Sequence, residues 1–193
     1  MERTGTPSLL PILRSRQQAE LLTDVLDNSD RELSLTDLSK RLAIPAASVH
    51  REIERAEAAG LVRSRRIGNT RLVSANPNSP YFEPLRQLLV QAFGVRARLI
   101  ESLAEMPGID EVYIFGSWAA SWHGNAGDRP VGDIDVLVMG DVDRDELYAA
   151  MHAVSEAIGR EVQTQIRPAG WIKGGSGSFH ETIVARPMVK VLP

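Results

Sequence analysis

The sequence predicts an α+β chain in two parts: helices closed by a β-hairpin, then one long linking helix, then a mixed sheet with flanking helices. Three observations predict this. Residues 15–59 carry apolar stripes at helical spacing, punctuated by cap residues and a proline. Two β-prone runs then flank Gly68-Asn69, which is a hairpin signature. From Ile109 onward, short apolar runs alternate with helical patterns in the order strand, helix, strand, helix, strand. The stretch Asn76-Pro-Asn-Ser-Pro80 separates the parts as a linker. The expected divisions are an arm over 1–14, a first domain over 15–75, a linker and long helix over 76–107, and a second domain over 108–193.

The chain has 193 residues and no cysteine. That length accommodates one large domain or two small ones. Without cysteine there is no disulfide and no thiolate metal site. No apolar run approaches the ~20 residues of a membrane helix. The N-terminus lacks the apolar core of a signal peptide, so a cytoplasmic protein without a membrane partner is expected. The net charge of −3 is unevenly spread. Residues 1–80 carry 12 Lys+Arg against 10 Asp+Glu, whereas residues 108–193 carry 7 against 12. Residues 61–71 hold four arginines and no acid. One basic face suffices for nucleic-acid binding whatever the overall charge.

In order along the chain, Pro7 and Pro11 mark the arm. Ser15 and Gln18 fit a capping box, and Ala19, Leu22, Val25 and Leu26 form the stripe of a first helix ending near Asn28. Leu33-Ser-Leu35 is a short extended piece. Thr36 is the expected cap of a second helix with Leu38 and Leu42 on one face. Ile44-Pro45 breaks it, and Pro45 opens a third helix over about 46–59, with Val49, Ile53 and Ala56 inward and Gly60 as its stop. Two helices joined by a short turn form a helix-turn-helix, the second being the candidate reader. Residues 61–67 and 70–74 make the hairpin. Residues 81–105 read as one long helix with Leu85, Leu88, Leu89, Ala92, Val95, Leu99 and Leu103 on a broad face. A helix follows over 143–158, stopped by Gly159, then a strand over 162–167. The glycine-rich stretch 168–178 is expected to be a mobile loop, followed by a short helix over 179–185 and a last extended piece over 188–192. No internal repeat is found.

The second domain holds the most specific chemistry. Gly116-Ser117 follows the apolar run Val112 to Phe115. A Gly-Ser turn opening a helix offers amides and a hydroxyl to a phosphate. Asp133 and Asp135 stand two apart at the start of Val136-Leu-Val-Met. Alternation along a strand puts both carboxylates on one face and Ile134 on the other. Two such carboxylates repel unless a cation neutralises them, and their hard oxygens suit Mg2+ or Mn2+. Together these features describe a site for a metal–nucleotide complex. His123, Asp128 and Arg129 stand in the intervening loop. Trp118 and Trp122, at helical spacing, are expected to serve as core or lid.

In the first domain the exposed positions expected on the reading helix are Ala47, Ser48, Arg51 and Arg55, with His50 at the flank. The hairpin adds Arg63, Arg65, Arg66, Asn69 and Arg71. Cations on a β-ribbon can follow a phosphate backbone, so double-stranded DNA is the expected partner.

The pairing of Gly116-Ser117 with Asp133-x-Asp135 on consecutive strands resembles the nucleotidyltransferase fold of the DNA polymerase beta superfamily, and most closely its minimal branch. That resemblance implies a nucleoside triphosphate as ligand, Asp133 and Asp135 as metal ligands and catalytic carboxylates, Gly116 and Ser117 as nucleotide-binding residues, and a third carboxylate from the next strand for two-metal chemistry. The next strand here offers Gln163 and Gln165, with Glu161 at its edge, and Trp118 to Ser121 lacks the arginine often found after Gly-Ser. Residues 15–75 resemble the winged helix-turn-helix regulators of the ArsR/MarR group, which implies DNA binding and a homodimer. The fusion resembles transcriptional regulators carrying a minimal nucleotidyltransferase domain, some tied to toxin–antitoxin-like systems. Three readings follow: a DNA-binding transcriptional regulator whose second domain binds a metal–nucleotide complex with weak or no turnover; an active nucleotidyltransferase modifying a protein, RNA or small molecule; and an antitoxin-type protein with a toxin-like partner.

Overall fold

The computed structural model describes residues 13–124 and 132–193. The readings made for the N-terminal arm up to residue 12, and for Asp128 and Arg129, lie outside the described residues. The chain mixes helices with two sheets and divides into two compact units, Met1–Ala97 and Arg98–Pro193.

The first unit begins with α1 (Arg16–Asp27), with Ser15 as its cap: Ser15 accepts a hydrogen bond from the Gln18 amide at 3.1 Å, while the Gln18 side chain accepts from the Arg14 amide at 3.2 Å in place of the Ser15 amide of a capping box. A cap of this kind is worth about 1 kcal/mol. Strand β1 (Leu33–Ser34) runs directly into α2 (Leu35–Arg41). The cap of α2 is Ser34, not Thr36. Its hydroxyl accepts from the Asp37 amide at 3.0 Å and donates to the Asp37 carboxylate at 2.7 Å, so it satisfies an orphan donor that Thr36, already inside the helix, cannot reach. Next come α3 (Ala46–Ala58), β2 (Val62–Ile67) and β3 (Thr70–Ala75). Strands β2 and β3 pair antiparallel around Gly68, whose φ of +57° suits the tight turn, and β1 adds to the far side of β3.

The single long helix expected over 81–105 is instead two: α4 (Phe82–Phe93) and α5 (Val95–Leu103). Gly94 separates them in an extended conformation, with ψ near −166°. A side chain there would overlap the Val90 carbonyl, so glycine permits a bend that no other residue would. Continuous apolar periodicity concealed the break. Leu89 and Phe93 of α4 enter the same core as Leu21, Leu26, Leu38, Ile53 and Val73, which makes α4 part of the first unit.

The second unit is built on a four-stranded sheet: β4 (Ile109–Phe115), β5 (Ile134–Gly140), β6 (Val162–Arg167) and β7 (Val189–Leu192), in the order β6-β5-β4-β7. β4 leads into α6 (Gly116–Trp122), and α7 (Arg144–Ile158) connects the parallel pair β5 and β6. A parallel pair requires such a crossover. Asp143 caps α7 by accepting from the Asp145 and Glu146 amides, both at 2.9 Å. Ile134, Val136 and Val138 turn to one face of the sheet and are fully buried; Leu137 and Met139 turn to the other. The glycine-rich stretch over 168–178 is not an unstructured loop. It contains α8 (Trp171–Gly174) and leads into α9 (Ser178–Val184). Trp171, Ile172 and Ile183 pack with Phe115, Leu137 and Met139, so apolar burial orders a segment whose composition suggested mobility.

Candidate functional site

The register of the second sheet assembles the candidate nucleotide site. Asp135 lies opposite Phe115 on β4 and opposite Gln163 on β6. Paired residues share a face, so the first row of that face reads Gln163, Asp135, Phe115. The following rows are Gln165, Leu137, Tyr113 and then Arg167, Met139, Glu111. Asp133 is not itself in the strand; it precedes β5, which starts at Ile134.

Gly116 opens α6 with φ +73°, and a Cβ at that position would overlap the Asp135 carboxylate. The Gly116 backbone is thus moulded against Asp135, and only glycine combines that φ with that proximity. Phe115 is the N-cap residue of α6, and no side chain caps the helix. Burial, and then the neighbouring Asp133 charge, raise the Asp135 carboxyl above its ordinary value. Among the described residues neither aspartate has an ion-pair partner. A half-buried carboxylate beside a second one, with no cation paired to either among the described residues, is a donor set suited to a divalent metal. Among the described residues no group of three or more His, Cys, Asp or Glu converges to hold one, and the position beside Asp135 where a third carboxylate is expected holds Gln163. An amide oxygen can ligate a metal but offsets none of its charge.

The sequence also left residues on this face without a role. Arg167 holds its guanidinium 5.1 Å from the Phe179 ring centre and 5.4 Å from that of Trp171. Phe179 meets Phe115 edge-on at 6.5 Å. Trp118 is buried and stacks at 5.1 Å on the more exposed Trp122, which gives the core role expected for the first. His123 lies against the Met188 carbonyl at 3.2 Å.

In the first unit, α3 buries Val49, Ile53 and Ala56 and exposes Ala47, His50, Arg51, Glu54 and Arg55. Ser48 is half-buried and accepts from Arg51 at 3.0 Å. The four hairpin arginines do not share one face. Arg66 lies directly opposite Arg71, on the side that carries Ser64 and the buried Val73; Arg63 and Arg65 project from the other side. Several of these cations are engaged within the unit. Arg55 pairs with Glu52 at 2.6 Å, and Arg65 grips Glu32 through two nitrogens. Arg71 donates to Glu57 at 2.6 Å and reaches His50 Nε2 at 3.2 Å, while His50 Nδ1 faces Glu54 at 3.2 Å. Hydrogen bonds from Ser64 and Arg71 hold the Glu57 carboxyl below its ordinary value. Arg63, Arg66 and Asn69 are exposed, and neither arginine has a carboxylate partner among the described residues.

Comparison with protein-family models gives no match, and no significant match is found among curated proteins. Among the described residues no helix is long and apolar enough to cross a membrane.

Proposed function

We propose that this chain is a DNA-binding transcriptional regulator. Its first unit is a winged helix-turn-helix of ArsR/MarR type, with α3 as the reading helix and the β2–β3 hairpin as the wing. The observation that carries this reading is the division of α3: one face is fully committed to the core, and the other exposes Arg51, Arg55 and His50, the last two with carboxylate partners inside the unit, beside a hairpin bearing exposed Arg63, Arg66 and Asn69. An exposed helix flanked by a cationic ribbon suits a major groove bordered by phosphates. A homodimer is part of the proposal, since α4 leaves Leu88 45% exposed and the adjoining Tyr81 67% exposed. Binding to duplex DNA, followed by fluorescence anisotropy at several salt concentrations, tests it. Arg51→Ala and Arg66→Ala are expected to weaken binding, each reducing the salt slope by about 1 if it contacts a phosphate. Unaltered affinity and slope in both variants would overturn the reading.

The second unit, on the same proposal, is a nucleotidyltransferase-like domain that takes up Mg2+ or Mn2+ with a nucleoside triphosphate. Asp133 and Asp135 would hold the metal, and Gly116 and Ser117 would face the phosphates. A bound divalent ion would neutralise the paired carboxylates and polarise a phosphate oxygen. Gln163 in the third position favours binding with weak or no turnover. The alternative of an active nucleotidyltransferase draws support from Gly116, which is shaped to Asp135 as a demanding site requires. Label transfer from nucleoside triphosphates to protein, RNA or small-molecule acceptors, abolished by Asp133→Ala, would favour the enzyme.

A further inference from the structure

We infer that Phe179, backed by Arg167 and Trp171, is the stacking surface for the base of the bound nucleotide. The inference rests on the reading of Asp133 and Asp135 as the metal–phosphate end of that ligand. It names residues the sequence had assigned to a strand end, a loop and a short helix, none of them with a role in the site. Phe179 touches Phe115, which lies opposite Asp135, so the aromatic group begins one strand away from the carboxylates on the same sheet face. It continues from Phe179 to Trp171 at 5.8 Å and from Trp171 to His180 at 4.8 Å.

Two features separate this cluster from ordinary core. Phe179 stands one helical turn before Ile183 on α9, yet Ile183 is 6% exposed and Phe179 40%. The ring extends past the packed face that its helix buries. Arg167 stands beside both rings with a hydrogen bond to the Ile166 carbonyl at 2.8 Å, and among the described residues it has no carboxylate partner. A cation held by rings offers a planar, electron-poor surface suited to a heterocycle. The platform is also pre-formed. His180 donates to the Ile172 carbonyl at 3.0 Å, and Gly175 is packed so tightly between Trp171 and His180 that a Cβ would strike both. Little ordering remains for the ligand to impose.

Stacking on an aromatic ring contributes a term that a bare polyphosphate does not receive. The test is calorimetric binding of Mg2+ with ATP, GTP, CTP or UTP, and separately with inorganic tripolyphosphate, to the full chain. In the wild type at least one nucleotide should bind about tenfold or more tighter than tripolyphosphate. Phe179→Ala should collapse that preference to within about threefold, and Phe179→Tyr, which keeps a ring, should retain most of it. The inference is overturned if the wild type shows no preference, if Phe179→Ala keeps it, or if the Tyr variant loses it as fully as the Ala variant, which would mark a packing role. Asp135→Asn reports on the underlying reading. If the wild type binds neither ligand, or if Asp135→Asn binds both as the wild type does, the nucleotide site itself is wrong.

Discussion

The charges that brace the first unit and those at the candidate site of the second are treated differently. In the first, arginines and carboxylates are matched, mostly across elements: Arg14 on Glu52, Arg65 on Glu32, Arg71 on Glu57, Arg86 on Asp27 and Arg41 on the buried Asp24, with Arg55–Glu52 and Arg86–Glu83 pairing inside α3 and α4. In the second, Asp133 and Asp135 stand together without a protein cation among the described residues, and Arg167 lies apart from them beside aromatic rings. Matched charges tie the elements of that unit together, α1 to α2 and to α4, and α3 to β3. Adjacent like charges cost stability and are retained where a ligand resolves them. The contrast distinguishes charges that serve the fold from charges that await a partner.

The largest expected effect tests the first half of that contrast. Arg41→Ala removes a guanidinium from Asp24, which is only 7% exposed, and should destabilise the first unit by about 3 kcal/mol. Chemical denaturation measures this, and a loss within error would show that the buried pair does not support the fold.

Next is Asp135→Asn. The folded-state pKa of Asp135 is raised, so the unfolded chain ionises first, near its ordinary 3.8. The cost of its charge is therefore absent at pH below that value and grows as pH rises through the folded pKa. In metal-free buffer at neutral pH the variant should melt a few degrees higher than the wild type, the gain fading in acid, while losing Mg2+–nucleotide binding. A lower melting temperature at neutral pH would mean that the carboxylate is structural.

DNA binding sharpens the contrast within the first unit. Arg66, exposed and without a carboxylate partner among the described residues, should lose more affinity on change to Ala than Arg65, whose guanidinium is already engaged by Glu32. A difference of about threefold is expected at low salt, and equal losses would show that the Glu32 pair opens on DNA.

The smallest effect concerns Glu57. Its folded pKa lies below the ordinary 4.5, so its contribution is present above pH 4.5 and lost as pH falls through the folded value. The stability difference between wild type and Glu57→Gln should amount to less than about 1 kcal/mol at pH 7, because the pair is partly exposed and screened, and should shrink in acid. A difference independent of pH would remove the ion pair from the account.

Much of the chain was legible before its structure. Local signals suffice where a residue acts on its own neighbours. The Ser15 cap, the Gly68 turn, the Gly60 and Gly159 stops and the β6 span all lie where the pattern put them, because a cap or a positive φ is a property of a few consecutive residues. The spacing of the two aspartates was legible too, but the strand alternation expected to align them does not reach Asp133, which precedes β5. The break at Gly94 was not, because an apolar stripe continues across it and the extended backbone is chosen by packing on either side. Order over 168–178 was hidden in the same way, since Trp171 is held by residues from β4 and β5.

The sequence alone determined which residue types were available: two carboxylates at strand spacing, a Gly-Ser turn, an exposed helical face, four arginines on a hairpin. Periodicity and caps act over a single turn or strand, so these emerge without the fold. Tertiary structure alone decided which of those groups meet. It set Gln163 beside Asp135, moulded Gly116 against the same carboxylate, divided the hairpin arginines between two faces, and brought Arg167 to Phe179. Strand register and packing join residues dozens of positions apart, and no local pattern encodes a pairing that depends on both partners at once.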